Sequence, residues 1–219
     1  MCKQKEGNDG RPVEYLSVAK KCDTELIIKK SRFIAQAFPV QDMEEVTSAL
    51  RSVQEAYPDA SHICYAYRCG LSTEVVRFND AGEPSGTAGR PILEVIEREE
   101  LRNTLITVTR YFGGTLLGAA GLVRAYSGSA AAVIAAAGKA VYKLHGEYEL
   151  NVDYPLWGRV ERILVENSIR IAQIEYGTDV LLRILVPTTH VDRLYGLLRD
   201  ASSGDFSCRL LKESYYPVT

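Results

Sequence analysis

Apolar and polar positions change period several times along the 219 residues, and each change marks a new element. Glu25-Leu26-Ile27-Ile28 and residues 32–40 are β-branched and aromatic, with Lys29-Lys30-Ser31 as a turn between two strands. Met43, Val46, Leu50, Val53 and Tyr57 then recur at helical spacing behind Asp42 as N-cap, and the stripe stops before Pro58. Residues 61–70 and 73–79 alternate, which predicts a hairpin through Gly70. Residues 80–90 hold three glycines and a proline, a loop leading into a helix from Pro91 with Ile92, Val95 and Ile96 inward. Residues 105–112 read as a buried strand. It enters a second glycine-rich loop, Gly113 to Gly121, and then a helix to Ala137 with Gly138 as its C′ residue.

Beyond Gly138 the pattern changes. A strand over 141–152 precedes a helix opened by Pro155, with Leu156, Val160, Ile163 and Leu164 on its apolar face. Strands at 169–176 and 180–186, a helix that Thr188 or Thr189 can cap, and a strand at 206–215 complete the chain. The order β-α-β-β-α-β is the split-βαβ, ferredoxin-like signature. The fold class is therefore α+β in two domains, at residues 15–140 and 145–219, and the polar residues 1–14 are expected to be disordered.

Hydrophobic residues make up 46% and charged residues 25%, which excludes disordered and fibrous classes. Residues 1–144 carry 18 basic and 17 acidic side chains, and residues 145–219 carry 8 and 11. A net charge of -2 argues against a protein that coats polyanions. The small apolar stretch at 130–137 is far shorter than the roughly 20 residues that cross a bilayer. No apolar segment follows the N-terminal lysines, so no signal peptide is expected. Five cysteines without a regular framework point to reduced thiols and a cytoplasmic setting.

Two loops carry the candidate chemistry. Gly113, Gly114, Gly118 and Gly121 lie between a strand and a helix, where exposed backbone N–H groups can hold an anion. Arg110 before the loop and Arg124 after it would add charge. Ala119 and Ala120 stand where a nucleotide-binding phosphate loop needs Lys and Ser or Thr, so nucleotide hydrolysis of that kind is unsupported. The same small residues also serve close helix packing. In the other loop, Asp80 and Glu83 with Ser85 and Thr87 could hold a cation or act as acid and base. Turn-making explains those residues as well, with Thr87 capping the next helix. His62 and Cys64 share a strand face, but no ligand set for zinc accompanies them. No metal and no cofactor is expected. Tyr65, Tyr67, Tyr111 and Tyr126, beside Arg68, Arg77 and Arg90, could stack on nucleobases, or simply fill half-buried strand positions.

Three motifs together resemble the IMPACT family. They are His62-Ile63-Cys64-Tyr65-Ala66-Tyr67-Arg68, the run from Asp80 through Glu83-Pro84-Ser85-Gly86-Thr87-Ala88-Gly89, and Thr109-Arg110-Tyr111-Phe112-Gly113-Gly114 through Gly121-Leu122-Val123-Arg124-Ala125-Tyr126-Ser127. The two-domain layout is similar to the bacterial YigZ branch. The chain departs from many relatives at Leu116, where they carry Lys, and at Ala120, where they carry Gly. The resemblance implies an N-terminal domain like ribosomal protein S5 domain 2 and a C-terminal domain like domain V of elongation factor G. It also implies a link to translation, since eukaryotic members regulate translation under amino-acid stress.

The expected function is a cytoplasmic, non-enzymatic binding protein linked to translation regulation. It would engage RNA or the ribosome, or a translation-related protein, through both glycine-rich loops. The binding residues are His62, Arg68, Asp80, Glu83, Ser85, Thr87, Arg110, Gly113, Gly114, Gly118, Gly121 and Arg124. The alternative is a hydrolase or transferase acting on a small phosphorylated or acidic substrate, with Glu83 or Asp80 as acid/base. A third reading, a protein-interaction scaffold, expects an apolar patch on the open face of the C-terminal sheet.

Overall fold

The computed structural model describes residues 11–218. The disorder expected for residues 1–14 falls mainly outside that range, but Glu14 already belongs to a strand that the sequence pattern did not predict, β1 (Glu14–Val18). Contacts divide the chain into two compact units, one built mainly from residues 15–141 and the other from 142–218.

In the first unit, β2 (Cys22–Ile28) and β3 (Ser31–Pro39) form a hairpin whose turn places Lys29 and Lys30 at φ 46° and 68°. Positive φ at both central residues suits the twist of a two-residue hairpin loop. Helix α1 (Met43–Ala56) starts as its sequence dictates, with the Asp42 carboxylate accepting the Glu45 N–H at 2.9 Å. β4 (His62–Cys69) and β5 (Val75–Asn79) make the second hairpin, followed by α2 (Gly89–Arg98). β6 (Thr104–Tyr111) runs into α3 (Ala119–Ala137). The sheet is antiparallel throughout, in the order β2-β3-β6-β4-β5.

The two faces of this sheet bury different cores. On one, Phe33, Ala35, Cys64, Ala66, Ile106 and Val108 meet α2 and α3. On the other, Phe38, Tyr67, Cys69 and Leu105 meet Val46 and Val53 of α1. Each large apolar side chain sealed in this way contributes about 1.5–3 kcal/mol. Helix α3, at 19 residues, is long and apolar enough to cross a membrane by length and composition. Here it is a core helix, with Leu122, Ala125, Tyr126, Ala130, Val133, Ile134 and Ala137 buried.

The second unit comprises β7 (Lys139–Val152), whose first residues belong to the first unit, then α4 (Tyr154–Glu166), β8 (Arg170–Tyr176), β9 (Val180–Pro187), a short 3₁₀ turn, α5 (Val191–Ser202) and β10 (Ser207–Val218). Strand order β8-β9-β7-β10 matches the split-βαβ pattern read from the sequence. Neither Thr188 nor Thr189 caps α5. Both lie in the 3₁₀ turn, and the Thr188 hydroxyl instead donates to the Leu144 carbonyl at 3.3 Å.

Candidate functional site

The strand register of the first unit brings chemistry to one end of the sheet. Arg110 on β6 lies opposite Phe33 on β3 and opposite His62 on β4, so all three share the face that packs against the helices. Above them sits the carboxylate loop. Glu83 drops into this face with its side chain only 3% exposed, and the Arg110 side chain is 6% exposed. Arg110 Nη1 donates to Glu83 Oε1 at 2.6 Å, and the Tyr126 hydroxyl of α3 donates to the same oxygen at 2.7 Å. Charge-assisted bonds of this length are the stronger kind.

The rest of the cluster fixes these partners. The Arg110 guanidinium lies 5.5 Å from the ring centres of both Phe33 and Phe112. Its Nη2 reaches Ser31 Oγ at 3.4 Å, and that oxygen also accepts the Gly113 N–H at 3.1 Å. Gly113 has no alternative here, because a Cβ would stand 2.1 Å from the Lys30 backbone carbon. His62 Nδ1 bonds the Ala81 carbonyl at 2.9 Å, so it carries the proton in the neutral ring. Nε2 then faces Glu83 Oε1 at 4.0 Å. The Cys64 thiol donates to the Asp80 carbonyl at 3.0 Å. Burial, aided by the Glu83 and Asp80 charges, pushes that thiol up to about 12. Burial likewise pushes Tyr126 far up, which keeps its hydroxyl a donor.

Asp80 has a separate role. Its carboxylate accepts the N–H groups of Gly86 at 2.8 Å, Ala88 at 3.0 Å and Gly89 at 2.8 Å. It therefore caps α2 from eight residues upstream. This corrects the expectation for Thr87, whose hydroxyl donates to the Pro84 carbonyl at 2.6 Å instead. Three amides engage one carboxylate and an Arg and a Tyr the other, so Asp80 and Glu83 are each held by partners of their own.

The remaining candidates divide by position. Arg68 lies at the far end of β4, six residues or about 20 Å from His62. It is held there by Glu74 at 3.0 Å and the Leu101 carbonyl at 3.3 Å, so it does not belong with the cluster. Tyr67 and Tyr126 are buried, and the Tyr111 hydroxyl donates to Asp59 at 2.8 Å, so base stacking by these rings has little support. Ser85, Gly114, Gly118 and Arg124 are exposed, with Gly121 at the start of α3 half-buried. Gly114 and Gly118 have φ 79° and 74° with open space where a Cβ would be. Phe112 and Leu116 in this connection are 50% and 83% exposed, and Val123 is exposed one turn into α3. These apolar positions were not among the residues expected to bind, although Leu116 stood out as a departure from the family. Among the described residues, no group of three His, Cys, Asp or Glu is placed to hold a metal ion.

In the second unit, the β7 face turned away from α4 and α5 carries Glu147 and Glu149. Lys212 and Arg209 of β10 bond to them at 3.3 and 2.8 Å. Between these two cations Leu210 and Leu211 are also exposed, so this stretch of β10 mixes charged and apolar side chains.

Comparison with known proteins follows the same division. Residues 29–134 match the Impact N-terminal domain, and residues 150–205 match a domain of unknown function, DUF1949. The chain is 37% identical to the IMPACT family member YvyE of Bacillus subtilis over 76% of each chain. It is 32% identical to the IMPACT family member YigZ of Escherichia coli, over 85% of this chain and 92% of the relative. A crystal structure described as a hypothetical protein superposes with a TM-score of 0.60 at 30% identity, covering 91% of this chain and 98% of the other. The chain belongs to the IMPACT family.

Proposed function

We propose that this protein is a cytoplasmic binding module linked to translation regulation, and that its N-terminal unit recognises a translation-related protein through residues 112–124. The observation that carries this reading is the exposure of Phe112, Leu116 and Val123 in a connection anchored by a buried ion pair. Apolar side chains presented from a rigid base are what a protein interface uses at its centre. RNA has less to hold. Arg110 is committed to Glu83, Arg124 is the exposed guanidinium of the connection, and residues 1–144 are close to neutral. Acid/base chemistry by Asp80 or Glu83 is less favoured still, because three amides hold one carboxylate and the other is ion-paired.

Pull-down from lysate, with and without nuclease, tests the reading when wild type is compared with Leu116→Glu. Leu116 is 83% exposed, so the variant keeps the fold. The expected result is a translation factor or ribosome-associated protein that survives nuclease and is lost with Leu116→Glu. Capture abolished by nuclease, or undiminished in the variant, would overturn it.

A further inference from the structure

The second unit contains a groove of about 580 Å³ between α5 and the start of β10, within the size range of small-ligand and peptide sites. Asp192, Tyr195, Gly196 and Arg199 line it at i, i+3, i+4 and i+7, one face of α5. Phe206 and Cys208 form the opposite wall. The Tyr195 hydroxyl donates to the Cys208 carbonyl at 3.1 Å, which pins its ring across the groove 6.0 Å from the Phe206 ring.

Gly196 is the telling residue. A glycine inside a helix costs roughly 1 kcal/mol relative to Ala. Tight packing often explains such a glycine, but outside its own stretch of helix no atom lies within 4 Å of where a Cβ would be. The position leaves the groove floor open. Asp192 and Arg199, in the first and last turns of α5, are both exposed, and among the described residues no hydrogen bond or ion pair engages either side chain. They favour the helix dipole by their placement. They also set opposite charges at the two ends of the groove, seven residues or about 10.5 Å apart along the axis.

We infer that this groove binds an extended peptide segment of a partner protein, with a basic side chain on Asp192, an aromatic or large aliphatic side chain over Gly196, and an acidic side chain on Arg199. In an extended chain, residues i, i+2 and i+4 face one way and span about 13 Å, which matches the separation of the two charges once their side chains splay. The aromatic walls then receive the middle side chain, and charge complementarity sets its direction.

The probe is the blocked peptide Lys-Ser-Phe-Ser-Glu, titrated into the full-length protein and followed by amide chemical shifts. Saturable shifts are expected at Gly196, Phe206 and Cys208. Gly196→Leu, starting from a Cβ position with open space around it, fills the floor and should weaken binding by about tenfold or more. Arg199→Glu should lose the probe and gain Lys-Ser-Phe-Ser-Lys. Absence of saturable shifts up to about 5 mM peptide, a range that still detects millimolar affinity, would overturn the inference. So would equal binding by Gly196→Leu. Shifts of the same amides on raising protein concentration alone would assign the groove to a second copy and also overturn it.

Discussion

The two units handle charge in opposite ways. In the first, Glu83 and Arg110 are almost wholly buried, and a tyrosine, a serine and two aromatic rings close around them. In the second, Arg209 reaches Glu149 across a wet sheet face with its side chain 72% exposed. Water can replace either partner of the second pair and neither partner of the first. A buried pair is therefore weak evidence of net stabilisation but strong evidence of mutual dependence. Removing one member leaves a bare charge, so the two loops that supply Glu83 and flank Arg110 are expected to stand or fall together.

The largest effect should come from cutting the buried pair. Glu83→Ala or Arg110→Ala is expected to cost about 3–5 kcal/mol in urea unfolding, while Glu83→Leu combined with Arg110→Met recovers most of that. If the double variant is no better than the singles, polar contact and not charge pairing holds this end of the sheet. Asp80→Ala comes next. Loss of the acceptor for three amides should cost about 1–2 kcal/mol and fray the start of α2, seen as faster exchange at Ala88 and Gly89.

Cys64 provides a pH test of the same interior. Its thiol is pushed from an ordinary 9.0 up to about 12, so the fold favours the neutral form. The stability this confers is complete below pH 9.0 and is lost as pH rises toward about 12. Cys64→Ala should flatten the alkaline fall in stability across that window, measured by urea unfolding at each pH. An unchanged profile would move the alkaline sensitivity elsewhere. Smallest of all, Arg209→Ala should change stability by about 0–1 kcal/mol, and less in high salt. A cost comparable to that of Arg110→Ala would erase the distinction between the two pairs.

The elements were legible because they follow local rules. Asp42 caps α1 as its position before an apolar stripe requires, and β2 through β6 follow runs of alternating or buried residues. The site was legible in its residues but not in its roles. Glu83, Arg110 and His62 could each be singled out, yet that they meet depends on strand register across β3, β6 and β4, which no local pattern encodes. One signal did exist. Arg110 falls at an inward position of a strand otherwise sealed from water, and a charge there demands a buried partner. Thr87 misled for the reverse reason. It sits beside the helix start, where caps are usually found, but the loop curls Asp80 back onto the same amides. Arg68 misled because β4 puts it on the same face as His62, at the other end of the sheet. The strand at Glu14–Val18 escaped notice because Glu14 and Ser17 break up its apolar positions, whereas the equally short β5 is announced by the hairpin turn before it.

Hydrogen exchange on Glu83→Gln addresses the shared dependence of the two loops most directly. The substitution keeps the side-chain shape and removes the charge that Arg110 and Tyr126 both engage. Amides of Gly86, Ala88 and Gly89 in one loop, and of Gly113 and Leu122 around the other, should lose protection by similar factors. Faster exchange confined to residues 80–89, with Gly113 and Leu122 unchanged, would show that the loops are independent and contradict the coupling through Glu83.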